Sequence, residues 1–141
     1  MVNKILFVDD EVHILSTLKR EFEHSEYMCY FAGSGKEALE ILENEEIDVL
    51  VTDMRMPKMN GLELLKIVKK DYPKVVRMVL SGYTFSPQIM AAVNQGYIFK
   101  YISKPWNYEK ELKPAIDDAV EFKRYMQRIY NKCEYKVPVE E

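Results

Sequence analysis

Four apolar runs in this chain each end in a group that can do chemistry. Ile5-Leu6-Phe7-Val8 runs into Asp9-Asp10, and Asp48-Val49-Leu50-Val51 leads to Asp53. Val75 to Leu80 ends at Ser81-Gly82, and Tyr97 to Ile102 leads to Lys104-Pro105. Carboxylates a few Å apart repel by roughly 1–4 kcal/mol per pair, so acids converging from several run ends require a cation. Oxygen-only ligands on loop ends suit Mg²⁺, which takes one or two carboxylates, several waters and a phosphate. No thiolate or imidazole stands beside them. A carboxylate can also attack phosphorus to give an acyl phosphate, and such transfer needs mainly positioning and positive charge at the equatorial oxygens. Lys104 and Mg²⁺ would supply that charge, and the Ser81 hydroxyl would donate to a phosphoryl oxygen.

These groups meet only if the runs are parallel strands, because ligands of an open α/β sheet bind outside the carboxyl ends of its strands. The pattern agrees. Short β-branched runs alternate with helical patterns five times, the signature of βαβ units. Strand one spans about Lys4 to Val8, and a helix near Glu11 to Glu23 carries Val12, Leu15, Leu18 and Phe22 at helical spacing toward the sheet. Strand two is Met28 to Ala32. Ser34, with Glu37 three residues on, predicts a capping box for a helix reaching about Glu43. Strands three, Asp48 to Thr52, and four, Val75 to Leu80, are almost continuously apolar, as strands buried on both faces are. Between them, the turn-rich Met56 to Gly61 precedes a helix with Leu62, Leu65 and Val68, stopped at Tyr72-Pro73. A further helix, about Ser86 to Gln95, ends at Gly96.

Composition bounds the rest. With 141 residues, 48% of them apolar, one core and a short tail are expected. A net charge of -3 gives no electrostatic footprint for nucleic acid. Cys29 and Cys133 form neither a disulfide framework nor a zinc motif, so a reducing, cytoplasmic setting fits. No run has signal-peptide or membrane-spanning length, which predicts a soluble, unexported protein. His13 and His24 are read as surface helix residues, and the eight methionines as core filler.

At the C-terminus, Asn107 opens a helix that Pro114 should disturb, which moves the regular start toward Lys113. Ala115, Ala119, Phe122, Met126, Ile129 and Cys133 then repeat in steps of four and three. That stripe outlasts one domain. It is either a signalling helix pairing with another protomer or leading to an output domain, or a last helix packed on the sheet with a frayed end.

The elements Val8-Asp9-Asp10-Glu11, Asp53-Met54-Arg55-Met56-Pro57 with Gly61, Leu80-Ser81-Gly82 and Lys104-Pro105-Trp106 resemble, in order, the receiver domain of two-component response regulators. The resemblance implies a flavodoxin-like, doubly wound five-stranded parallel sheet of order 2-1-3-4-5, with helices on both faces and an extended C-terminal helix. Residues 1–122 would form the receiver and 123–141 a helical extension and tail. Asp53 would be the phosphoacceptor, with a sensor histidine kinase as phosphodonor. Asp10, Asp53 and the Arg55 backbone carbonyl would bind Mg²⁺ directly and Asp9 through water. Lys104 would pair with the phosphoryl group, Ser81 and Tyr101 would form the hydroxyl and aromatic switch, and Lys104-Pro105 would be cis.

The resemblance further implies a downstream output domain or protein, and pairing of two copies through the face of the fourth helix, fifth strand and last helix, or through the C-terminal helix. Exposed Tyr97 and Ile98 would serve on that face. The run Tyr101 to Trp106 is most similar to receivers preceding cyclic-dinucleotide phosphodiesterase or other enzymatic output domains. Arg55 and Tyr83 depart from the commonest family choices where side chains border the hydrolytic water, which predicts a long-lived phosphoryl group. Three rivals stand beside this reading. A phosphorylation-independent receiver would bind partners only. A metal-dependent phosphohydrolase would need a second acid where Arg55 stands. A flavodoxin-like electron carrier would need a Ser/Thr/Gly-rich loop where Asp9-Asp10-Glu11 would repel its cofactor phosphate.

Overall fold

The computed structural model describes residues 2–82 and 86–136, with side chains placed through residue 132. Five parallel strands, β1 Lys4–Val8, β2 Met28–Ala32, β3 Val49–Thr52, β4 Val76–Ser81 and β5 Lys100–Ser103, lie in the order 2-1-3-4-5. The helices are α1 Val12–Glu21, α2 Gly35–Asn44, α3 Gly61–Asp71, α4 Pro87–Asn94 and α5 Lys113–Lys136.

The alternation of β1 splits the core in two. Ile5 and Phe7 pack with Leu18 and Phe22 of the α1 region and with Ile116 and Val120 of α5. Leu6 and Val8 point the other way, into Leu42 of α2, Leu64 and Leu65 of α3 and Ile89 of α4. Helices therefore cover both faces, and β3 is buried along its whole length, as its unbroken apolar sequence requires.

Several local expectations are corrected. Val12 is 73% exposed, because the sheet-facing stripe of α1 begins a turn later, with Ile14 and Leu15. The capping box at Ser34 is half-formed: Ser34 Oγ accepts from Glu37 N, but the Glu37 carboxylate accepts from Gly33 N. The complete box lies at α3, where Asn60 and Glu63 exchange side-chain and backbone bonds. Ile98 is buried, so it is no partner contact, and Tyr97 is half-buried. Met56 and Met78 fill core, whereas Met28, Met90 and Met126 are exposed. His13 and His24 are exposed, as expected.

The chain entering α5 shows how Pro114 is accommodated. Asn107 caps a turn, Tyr108–Leu112, whose hydrogen bonds skip five residues, with Leu112 N donating to Asn107 O and Lys113 N to Tyr108 O. Proline has no N–H, and its ring clashes with the carbonyl four residues back, so a wider turn before it removes the conflict. Regular α-helix begins at Lys113 and runs unbroken across residue 122. Its first half is buried through Ala115, Ile116, Ala119 and Val120, whereas Phe122, Tyr125, Met126, Ile129 and Tyr130 are exposed. The side chain of Cys133 lies outside the described residues, as do Tyr83 and residues 137–141.

Candidate functional site

Backbone pairing delivers the acids to one spot. Asp9 N donates to Ala32 O, and Asp53 N donates to Val8 O, so each acid sits one residue past a strand end with its backbone still held by the neighbouring strand. Thr52, fully buried, donates its hydroxyl to Asp53 O at 2.9 Å. On the other side of Asp53, Gly61 N donates to Met54 O. A Cβ at Gly61 would stand 2.2 Å from Asp53 O and 2.8 Å from Met54 Cα. The loop carrying Arg55 can close against α3 only around a residue without a side chain. Arg55 itself is exposed on that loop, and Lys58 holds the left-handed φ of 69° that turns it.

Oxygens of Asp9, Asp10 and Asp53 lie within 4.8 Å of one another. Asp9 and Asp53 are buried and Asp10 is exposed. This donor set is all carboxylate, open to water on one side, and fits a hard cation such as Mg²⁺.

Lys104 reaches the same cluster from β5. Its backbone N donates to Ser81 O at 2.9 Å, which ties the loop after β5 to the end of β4, and the Lys104-Pro105 peptide is cis. Lys104 Nζ lies 2.6 Å from Asp9 Oδ2 and 3.6 Å from both Asp53 Oδ1 and Glu11 Oε1. Burial pushes the Asp9 carboxyl upward, and the hydrogen bonds from Lys104 and Glu11 N only partly oppose it. Burial works against the Lys104 ammonium, but the Asp9 hydrogen bond and the charges of Asp53, Asp9 and Glu11 outweigh it and raise its pKa. Tyr101 is raised too, first by burial and then by the negative charge of Asp53, which places its ring within electrostatic reach of that acid.

Ser81, at the end of β4, is buried beside this rim. Five expected site residues, Asp9, Asp10, Asp53, Ser81 and Lys104, thus sit at the carboxyl ends of β1, β3, β4 and β5, and Tyr101 lies within β5, opposite Val79. Two supporting residues escaped the sequence reading: Thr52, whose hydroxyl fixes the Asp53 carbonyl, and Glu11 as a further acid near Lys104. Glu11 was legible in the acidic run it completes, whereas Thr52 looks like any strand threonine.

Comparison with known proteins agrees with this geometry. Residues 5–117 match the model of the response regulator receiver domain. The hydrogenase transcriptional regulatory protein HoxA of Cupriavidus necator is 40% identical over 102 residues, covering 72% of this chain and 21% of that protein. The transcriptional regulatory protein GlrR of Escherichia coli is 33% identical over 117 residues, covering 83% and 26%. The chain thus spans about a fifth to a quarter of the curated relatives it matches. The signal receiver domain of an HD domain-containing protein from Pseudomonas fluorescens superposes with a TM-score of 0.83 at 32% identity, covering 89% of this chain and 99% of that one. The response regulator TrrA of Thermotoga maritima, solved with Mg²⁺ and BeF, gives 0.74 at 27% identity, covering 84% and 99%. Among the described residues, no helix is long and apolar enough to cross a membrane. With its sheet order, its clustered acids and its Lys104, the chain belongs to the response regulator receiver domain family, regulatory phosphoacceptor modules of two-component signalling and not catalysts of a separate substrate's reaction.

Proposed function

We propose that Asp53 is the phosphoacceptor of this switch, that Asp9, Asp10 and Asp53 hold Mg²⁺ together with the Arg55 carbonyl, and that Lys104 and Ser81 receive the phosphoryl group. The observation that carries this reading is the cluster of three carboxylates within 4.8 Å, with the Lys104 ammonium 3.6 Å from Asp53. An Asp53 carboxylate oxygen attacks the phosphorus of a phosphohistidine on a sensor kinase. A P–O bond forms, the P–N bond breaks, and the kinase imidazole leaves. Mg²⁺, when bound, offsets the negative charge gathered there. Lys104 shifts from Asp9 toward the new phosphoryl oxygens, and Ser81 donates its hydroxyl to one of them.

The added charge of roughly -1.5 to -2 units favours the arrangement in which these loops close inward. Tyr101 then turns toward the space near Ser81, which remodels the face of α4, β5 and α5. Met90 and Val93, exposed on α4, support pairing of two copies through that face. Arg55, exposed on the loop after Asp53, borders the path of the hydrolytic water and prolongs the phosphorylated state; Tyr83, expected to act with it, lies outside the described residues.

Residues 1–122 act as the switch, and residues 123–141 carry its state to an output domain or partner protein in the cytoplasm. The HD domain-containing relative supports a further domain joined to the receiver, the place an enzymatic output would take. The transcriptional regulators supply the observation for a second reading, an output that acts on transcription.

Intact mass after incubation with acetyl phosphate, with and without Mg²⁺, tests the acceptor. Wild type gains one phosphoryl group only with Mg²⁺, and Asp53→Ala gains none. No gain under any condition would make the chain a phosphorylation-independent binding module.

A further inference from the structure

The amino ends of the strands, opposite the acidic site, carry a second feature. An open groove of about 670 Å³ runs there between α5 and the starts of β4 and β5. Its floor is made by the buried Val75, Val76 and Ile98, and its walls by Phe99, Phe122 and Met126. The Phe99 and Phe122 rings stand 5.0 Å apart. Phe122 and Met126 are 41% and 44% exposed, and the apolar surface continues along α5 through Tyr125, Ile129 and Tyr130. Contiguous apolar surface that a domain leaves exposed marks an interaction site.

The charged side chains that line the groove are all basic. Its charged lining residues are Lys74, Arg77 and Lys123. Lys123 is matched by Asp48 at 3.0 Å. Lys74 Nζ lies 4.2 Å from the Tyr130 ring centroid, and the Arg77 guanidinium donates to the carbonyl oxygens of Val75, Gly96 and Tyr97. Among the described residues, neither Lys74 nor Arg77 has a carboxylate within ion-pair distance. Residues 121–136 of α5 carry five cations, Lys123, Arg124, Arg128, Lys132 and Lys136, against two acids, Glu121 and Glu134.

These facts select the occupant. A second copy docking its own exposed half of α5 would set a segment with an excess of cations against a basic lining. A flat bilayer cannot reach a floor recessed behind Phe122 and Met126, and nucleic acid gains nothing from an apolar floor. A helix with protruding apolar side chains and flanking carboxylates satisfies both the shape and the charge. We propose that this groove docks an acidic amphipathic helix of a partner protein, its apolar stripe on Phe99, Phe122 and Met126 and its carboxylates toward Lys74 and Arg77.

The test titrates the full chain against a fluorescein-labelled three-heptad peptide, leucine and phenylalanine on one face and glutamate elsewhere, with a scrambled peptide of equal composition as control. Anisotropy reports affinity, and the Met126 methyl resonance reports place. The peptide should shift that resonance and bind about tenfold or more tightly than the scramble, and Met126→Glu and Lys74→Glu should each weaken binding by about tenfold or more. Both positions are exposed, so far-UV circular dichroism should stay unchanged; if one variant unfolds, the other carries the comparison. Equal binding of the scramble, or an unmoved Met126 methyl, would overturn the proposal. So would tighter binding to phosphatidylglycerol vesicles or to duplex DNA, or a dimer in sedimentation that Met126→Glu dissolves.

Discussion

Lys104 Nζ donates to Asp9 Oδ2 at 2.6 Å, across a site where both side chains are nearly closed to solvent. Each charge is held in place by the other. Replacing Lys104 with Met leaves a buried carboxylate without its cation and should destabilise the fold by about 3 kcal/mol. Adding Asp9→Asn should restore most of that loss, because the double variant returns the buried cluster of residues 9, 53 and 104 to the wild-type net charge, Asp53 keeping its carboxylate. Urea unfolding of the two single variants and the double variant measures the coupling, and additive effects would show that the pair does not matter to stability.

The three clustered acids make the opposite prediction for Asp10, which is exposed and lacks the Lys104 contact. Asp10→Asn should raise stability in chelator by about 1 kcal/mol, since it removes carboxylate repulsion. With saturating Mg²⁺ the order should reverse, because wild type gains binding energy that the variant has lost. Thermal melts with and without the ion decide it.

Gly61 lies against the backbone of Asp53 and Met54. Ala there must move backbone and not a side-chain tip, at a cost of about 2 kcal/mol or more. The displaced loop carries the proposed acceptor, so phosphoryl gain from acetyl phosphate should slow as well. A Gly61→Ala protein with wild-type stability and wild-type labelling would refute the packing argument.

Burial pushes the Cys29 thiol from 9.0 up to about 11. In a Cys133→Ser background, Cys29 should react with iodoacetamide at pH 8 on the order of 100-fold more slowly than an unstructured thiol, because the thiolate is the nucleophile. The folded chain holds this proton more tightly than the unfolded chain. The resulting stability is therefore complete below about pH 9 and is lost as pH rises through about 11. Cys29→Ala should flatten that part of the curve in denaturant titrations from pH 8 to 11.

Much of this was readable from residue order alone, for a physical reason. Asp9, Asp53, Ser81 and Lys104 were legible because each ends or follows a run apolar enough to be a strand, and parallel strands bring their carboxyl ends together. What escaped depended on distance across the fold. Nothing in sequence says that Lys104 leans closer to Asp9 than to Asp53, or that Thr52 fixes a carbonyl. Ile98 read as exposed because the run Tyr97 to Ile102 does not reveal that β5 begins only at Lys100. Pro114 announced a disturbance, but the wide turn that absorbs it lies in backbone geometry. Asn60 and Glu63 spell a capping box that the turn-rich sequence around them concealed.

The length of α5 has a mechanical consequence. At 1.5 Å per residue its 24 residues extend about 36 Å, yet buried contacts grip only the stretch to Val120. The remainder rests on the edge of the domain through a few contacts, Phe122 on Phe99, Lys123 with Asp48 and Tyr130 with Lys74, like a lever whose fulcrum lies on the sheet, shortly after the loop that carries Lys104. A tilt of about 10° at that fulcrum, sliding those few contacts, would carry the far tip through roughly 4 Å over the length of about 24 Å beyond it. Adjustments too small to notice beside Asp53 are thereby enlarged into a displacement that another molecule can feel.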